Sequence, residues 1–202
     1  MAAYTTINKP SLHFNTKLYT GNGGTNAITG VGFQPDWTWI KDRDATGYHF
    51  LTDAVRGVTK TLFSNTNSAE STEATGLTAF GTDGFTVGAH SNINTNGRNI
   101  ASWNWKANGQ GSANTDGSTN TTYTSVNTTA GFSISKYTGT GANATIGHGL
   151  GAAPKVVLIK RTSTTGNWVM GHGSLGFTKF IEFTTGALQT NSGRFNDTAP
   201  RS

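Results

Sequence analysis

Bulky and small side chains alternate along several short stretches of this chain. Trp37, Trp39 and Lys41 alternate with Thr38 and Ile40. Ala101, Trp103 and Trp105 alternate with Ser102, Asn104 and Lys106, and Val156, Leu158 and Lys160 with Val157 and Ile159. A period of two sends successive side chains to opposite faces of an extended strand. Between such stretches stand Gly23-Gly24, Asp83-Gly84 and Asn96-Gly97, pairs suited to tight turns. Pro35 and Pro154 fall at strand starts, where a missing N–H does least harm. Only Ser68–Ala74 has the composition of a helix, and a short one. The pattern predicts an all-β protein built as an antiparallel β-sandwich or jelly roll.

The pattern also repeats. Lys17-Leu18-Tyr19-Thr20-Gly21-Asn22-Gly23 returns as Ser135-Lys136-Tyr137-Thr138-Gly139-Thr140-Gly141, 118 residues on. Gly32–Lys41 returns as Gly151–Lys160, and Gly57–Lys60 as Gly176–Lys179, both 119 residues on. Three blocks in one order at nearly constant spacing indicate a duplicated module. The expected organisation is a first module over residues 1–107, a Gly/Asn/Thr-rich linker over 108–130, and a second copy over 131–202. The second copy is incomplete. The first continues through Asp83–Gly88 to Ile100–Lys106, whereas the second reaches Asn196–Ser202 where those strands would begin. Either the chain is part of a longer protein or the missing strands come from a partner chain, since an unfinished sandwich leaves an unpaired strand edge.

Composition supports a folded β protein. Charged residues make up 12% of the chain, and 27 glycines are present with 11 Phe, 5 Trp and 5 Tyr. That many aromatics argues against disorder, and the abundant Thr favours pleated surfaces. The net charge of +5 is uneven: Lys and Arg outnumber Asp and Glu by 7 to 3 in residues 108–202, against 8 to 7 in residues 1–107. No basic run of the kind nucleic-acid binding calls for is present, so no nucleic-acid partner is expected. The absence of cysteine rules out disulfides and thiolate metal sites. Met1-Ala2-Ala3-Tyr4 has neither a basic nor an apolar leader, and no membrane insertion is expected.

Candidate chemistry is sparse, and no enzyme, cofactor or metal site is expected. Most acidic residues stand beside turn residues, and none form the facing pair a glycosidase needs. His148 and His172 lie in Gly-rich turns, where turn hydrogen bonding is the expected role. Asp42–Gly47 resembles the opening of a calcium loop but has no later Glu in place, and reads as a hairpin turn. The aromatic pairs Trp37/Trp39 and Trp103/Trp105 each occupy one strand face. Burial in the core is the expected fate; an exposed pair would instead stack on sugar rings. Trp37, Trp39, Trp103, Trp105 and Trp168 are therefore the candidate ligand-binding residues. Trp168, Phe177 and Phe195 are the better candidates for exposed or interfacial positions.

Several segments resemble predicted virion proteins of marine phages that infect cyanobacteria and SAR11-type bacteria. They are Met1–Ile7, Tyr19–Gly23, Phe33–Lys41, Ser64–Thr66, Asp83–Gly88 and Trp103–Ala107, with Gly147–Lys155, Ser174–Lys179 and Asn196–Pro200 in the second copy. The resemblance implies tandem lectin-like (concanavalin-like) jelly-roll modules in tail-fibre or other virion structural proteins. It brings no catalytic residues.

The expectation is a virion protein, assembled in the host cytoplasm, that acts in assembly and in attachment to host-surface glycans. It would work as a homo-oligomer, a trimer, alongside other virion proteins. The alternatives are a capsid decoration or head-fibre protein, contacting the shell through Met1–Leu12, and a carbohydrate-active enzyme.

Overall fold

The computed structural model describes residues 7–202. Residues 1–6, which open both the resemblance and the proposed shell-contact segment, lie outside the described residues. After a 3-10 turn at Pro10–Leu12, the first module runs β1 (Phe14–Thr20), β2 (Asn26–Thr29), β3 (Trp37–Asp42), β4 (Phe50–Asp53), β5 (Lys60–Phe63) and β6 (Ser71–Thr72). It continues with β7 (Leu77–Gly81), β8 (Gly84–Val87), α1 (Ser91–Asn94) and β9 (Asn99–Trp105). Six strands form one antiparallel sheet in the order β1-β9-β3-β4-β5-β6, and three form a second in the order β2-β8-β7. The molecule is an all-β sandwich, as the alternation predicts.

Side-chain parity decides what lies between the two sheets. Ile40, Phe50, Phe63 and Ile100 project from the larger sheet onto Ile28, Phe85, Val87 and Leu77 of the smaller one, with Ile93 of α1 closing the end. Phe50, Ile40 and Ile100 are almost wholly excluded from solvent. The same inner face also carries polar residues: Thr38, Thr52, Thr61, Ser102 and Asn104 are equally buried. They bond along the sheet, with Ser102 Oγ donating to Lys17 O and Asn104 Nδ2 to Asn15 O. A Thr-rich strand thus buries its hydroxyls without leaving them unpaired.

The motif Tyr19–Gly23 is held by one buried side chain. Asn94 accepts from Asn22 N and Asn26 Nδ2, and donates to Asn22 Oδ1, Gly24 O and Gly88 O. The backbone comes so close that a Cβ on Gly21 would lie 2.1 Å from Thr95 O.

The second copy contains β11 (Phe132–Tyr137), β12 (Val156–Ile159), β13 (Val169–His172), β14 (Lys179–Glu182), β15 (Leu188–Thr190) and α2 (Ser192–Phe195). Shifted by the sequence offsets, β11, β12, β13 and β14 fall on β1, β3, β4 and β5. Four strands of the repeat therefore recur, whereas β2 has no counterpart strand. Two differences from expectation stand out. The presumed linker contains β10 (Thr121–Asn127), which pairs with β11 and is bridged on its other edge by Ser112. Ser68–Ala74 forms no helix: Ser71 and Thr72 pair with Thr61 and Lys60 as β6, because the edge of β5 offers partners that an isolated seven-residue helix lacks. The helical turns lie instead at α1 and α2, capped by His90 and Asn191.

The modules are joined by packing of their outer faces. Trp168 is buried against Leu51 and Leu62, and its indole N–H donates to Phe63 O at 2.8 Å. Phe132 stacks on Trp37 with ring centroids 5.8 Å apart. Glu70 N donates to Thr162 O, and Gly166 N to Asn67 O.

Two predictions follow from this architecture. Trp168→Ala removes the largest ring at the junction and should cost about 3–5 kcal/mol. Calorimetry should then resolve two unfolding transitions where the parent shows one. Asp83 does more than form a turn, since its carboxylate accepts from Gly30 N and Gly32 N and ties the β7–β8 hairpin to the end of β2. These backbone N–H groups hold its pKa below the ordinary 3.8, with Lys17 adding to the effect. The carboxylate therefore contributes stability above pH 3.8, which is lost as the pH falls through its lowered folded value. Urea unfolding of Asp83→Asn should show a deficit at pH 7 that shrinks toward zero as the acid limb is approached.

Candidate binding face

Outer-face parity on the six-stranded sheet gathers the aromatics into a row. Phe14 of β1 stands opposite Trp105 of β9, which stands opposite Trp37 of β3. The Phe14–Trp105 and Trp105–Trp37 centroids are 4.8 and 4.6 Å apart. A second rung pairs Trp103 with Trp39 at 6.4 Å. Period two predicted these faces correctly. It did not predict that the tryptophans would point away from the core: Trp37, Trp39, Trp103 and Trp105 are half-buried on the outer face, while Ile40, Ser102 and Asn104 take the inner positions. The expectation of burial between the two sheets is corrected for all four, while Trp37 and Trp39 pack instead against a second buried cluster of Leu51, Leu62 and Trp168. The reason is that the smaller sheet covers only one face, and a strand's parity does not say which.

Trp168 follows the opposite course. It is interfacial as expected, but only 6% exposed and fully engaged between the modules, so it offers no ring to a ligand. Phe177 is likewise buried, packed edge-on to Phe195 at 5.3 Å beneath β13. The face that remains open lies on β1 and β9. There Phe14 and Leu18 are 37% and 58% exposed, with Thr16 between them and Trp103 alongside.

Trp39 is oriented by His49, whose ring Nδ1 accepts the indole N–H at 3.1 Å. That bond requires an unprotonated Nδ1. Burial pushes the His49 pKa below 6.5, and Lys41 pushes it further down. Residue order alone does not reveal this pair, because Trp39 on β3 meets His49, just ahead of β4, only through the sheet register. The other histidines do what turn chemistry requires: His148 and His172 each accept, through Nδ1, the backbone N–H two residues on. The carboxylates are committed to structure. Asp53 and Glu70 hold the buried Arg56, Asp42 pairs with Arg98, and Asp36 accepts from Ala107 N and Gln34 Nε2.

Beside Trp37 and Trp105 opens a cleft of about 1640 Å³. Leu51, Arg56 and Leu62 wall it on the first module, and the whole lengths of β11 and β12 wall it on the second. It is larger than the roughly 300–1,000 Å³ of ordinary small-molecule pockets. Lys136, Lys155, Lys160, Arg161 and Arg194 line it on the second module, and Arg56, paired with Asp53, on the first. Among the described residues no helix is long and apolar enough to cross a membrane.

A family model for a domain of unknown function, DUF7483, matches residues 9–202. The chain belongs to the DUF7483 family. No curated protein and no solved structure matches it. The family match runs across both copies of the repeat, in keeping with the shared interface around Trp168.

The Trp39–His49 pair predicts a pH response. Between the folded pKa and 6.5 the unfolded chain binds the extra proton, so stability falls as the pH drops below 6.5 and levels off once folded His49 is also protonated. By NMR, the His49 ring should titrate below 6.5 and the Trp39 indole N–H should shift in step with it. That coupled shift should be absent from His49→Ala.

Proposed function

We propose that this DUF7483 protein is a virion structural protein of a phage, a tail-fibre or appendage component that attaches to glycans on the host surface. The observation that carries this reading is the open aromatic strip on β1 and β9, where Phe14, Trp105 and Trp103 stand on the outer face of the sheet rather than between the two sheets. Exposed apolar strips rimmed by polar residues mark interaction surfaces. Rings fixed on strands lose little entropy on binding, and the exposed Thr16 stands between Phe14 and Leu18 as a hydrogen-bonding group. The resemblance of Phe33–Lys41, Trp103–Ala107 and Gly147–Lys155 to marine phage virion proteins supplies the setting. The engagement of Asp36, Asp42, Asp53 and Glu70 in ion pairs and backbone hydrogen bonds favours holding over hydrolysis.

A single strip of this size binds weakly, and a homotrimer carried in many copies on a particle supplies the avidity. The test displays the protein multivalently on beads against a panel of bacterial surface polysaccharides. Binding to at least one is expected, with Trp103→Ala reducing it by about tenfold at unchanged thermal stability. Binding that ignores Trp103, or shortening of the polysaccharide during incubation, would overturn the reading.

A further inference from the structure

Three Asn-Gly steps occur in the chain, at Asn22-Gly23, Asn96-Gly97 and Asn108-Gly109. Each is a pair of groups able to react with one another. A glycine nitrogen has no Cβ beside it to hinder its approach, and it can attack the side-chain carbonyl of the preceding asparagine. The attack needs an amide N–H that is not held by an acceptor and an asparagine side chain that is free to turn. The structure separates the three steps on these two counts. At Gly23 the N–H donates to Asn94 O at 2.8 Å. The Asn22 side chain is held as well, with Oδ1 accepting from Gly24 N and Asn94 Nδ2, and Nδ2 donating to Thr25 O. At Gly97 the N–H donates to Gly21 O at 2.9 Å, so the exposed Asn96 side chain faces an engaged nitrogen.

Asn108-Gly109 lies elsewhere, in the turn that leads from β9 toward β10, and Asn108 is exposed. Its main chain is anchored: the Asn108 N–H donates to Ser125 Oγ at 2.8 Å, and Asn108 O accepts from Gly111 N at 3.2 Å. Neither of these is a reacting atom. Among the described residues the Asn108 side-chain amide has no hydrogen-bond partner, and the Gly109 N–H has none. The space beside Gly109 is open, since a Cβ there would meet only Gln34 Nε2, at 3.9 Å.

We propose that Asn108 is a self-modification site, converted in the folded protein to aspartate and isoaspartate while Asn22 and Asn96 stay intact. The Gly109 nitrogen gives up its proton and bonds to Asn108 Cγ. The Cγ–Nδ2 bond breaks, and Nδ2 leaves with a proton as ammonia. A five-membered succinimide remains. Water then opens the ring at one of its two carbonyls. Opening at Cγ gives aspartate, and opening at the Asn108 main-chain carbonyl gives isoaspartate, whose chain continues through the side-chain carbon. One water enters, one ammonia departs, and nothing is oxidised or reduced. Both products place a carboxylate at position 108, and isoaspartate also lengthens the main chain there. The residues that follow have no slack to absorb the change. A Cβ on Gly111 would lie 2.0 Å from Thr124 O, and Ser112 exchanges both main-chain hydrogen bonds with Thr124. Isoaspartate at 108 therefore loosens the segment 108–112 from the edge of β10.

The test incubates the full chain in warm, mildly alkaline buffer and follows all three sites by peptide mapping and mass spectrometry. In the folded protein Asn108 should convert to two separable acidic products, faster as the pH rises. Asn22 and Asn96 should react at least about tenfold more slowly, because they react only through local opening. In urea the three sites should convert at similar rates, which shows that the fold rather than the dipeptide sets the difference. Amide exchange at Thr124 should quicken as isoaspartate accumulates, and Asn108→Gln should abolish both changes. An Asn108 that stays intact in the folded protein while the unfolded chain converts, or equal rates at the three sites in the folded protein, overturns the assignment. Accumulation of isoaspartate with unchanged exchange at Thr124 overturns the loosening of β10.

Discussion

The sheet of the first module depends on a strand that arrives last. β9 lies beside β1, which it meets across some 85 residues of chain: Ser102 Oγ reaches Lys17 O at that separation. Closing so long a loop carries an entropic cost that grows only slowly with length, but nothing repays it until the strand is in place. Once there, β9 pairs on both sides and seals Ile100, Ser102 and Asn104 from solvent. Without it, β1 would lose the one strand partner it has among the described residues, and the inner face would be split in two. A module of this topology folds cooperatively around its final strand or leaves a gap at its centre.

The second copy displays that consequence. Its strands occupy their expected places, so local pattern and turn chemistry suffice to position them. Among the described residues no strand lies between β11 and β12, and each stands at the end of its own sheet. The molecule compensates at the junction. Trp168 and Phe183 stack at 6.2 Å, and Trp168 inserts against Leu51 and Leu62, so that the outer face of the complete sheet becomes a wall for the incomplete one. The first module therefore serves as a scaffold for its neighbour, consistent with one family spanning both.

Much of this was legible from residue order. Alternation located β3, β9 and β12, and the offsets of 118 and 119 map β1, β3, β4 and β5 onto their counterparts. Three features were not legible, each for a physical reason. Parity groups Trp37 with Trp39 but cannot say which face a second sheet will cover, so the tryptophans read as core. β10 hides in a Gly- and Asn-rich stretch because its stability comes from β11 and from the Ser112–Thr124 bridge rather than from its own apolar content. The Trp39–His49 bond and the clasp of Asp83 on Gly30 and Gly32 join residues 10 and about 50 positions apart, and only the register of the sheets brings them together.

The two surfaces of the molecule then divide by chemistry. On the outer face of β1 and β9 the rings of Phe14 and Trp103 stand beside hydroxyl groups, with β9 paired on both sides, so a ligand lying on that face meets side chains first. In the cleft the side chains are accompanied by two rows of unpaired main-chain groups, and such edges are costly to leave open and prone to capture another strand. A sugar cannot satisfy a ladder of alternating N–H and C=O groups spaced for a peptide, whereas a strand satisfies each in turn. The distinction rests on backbone geometry rather than on residue preference.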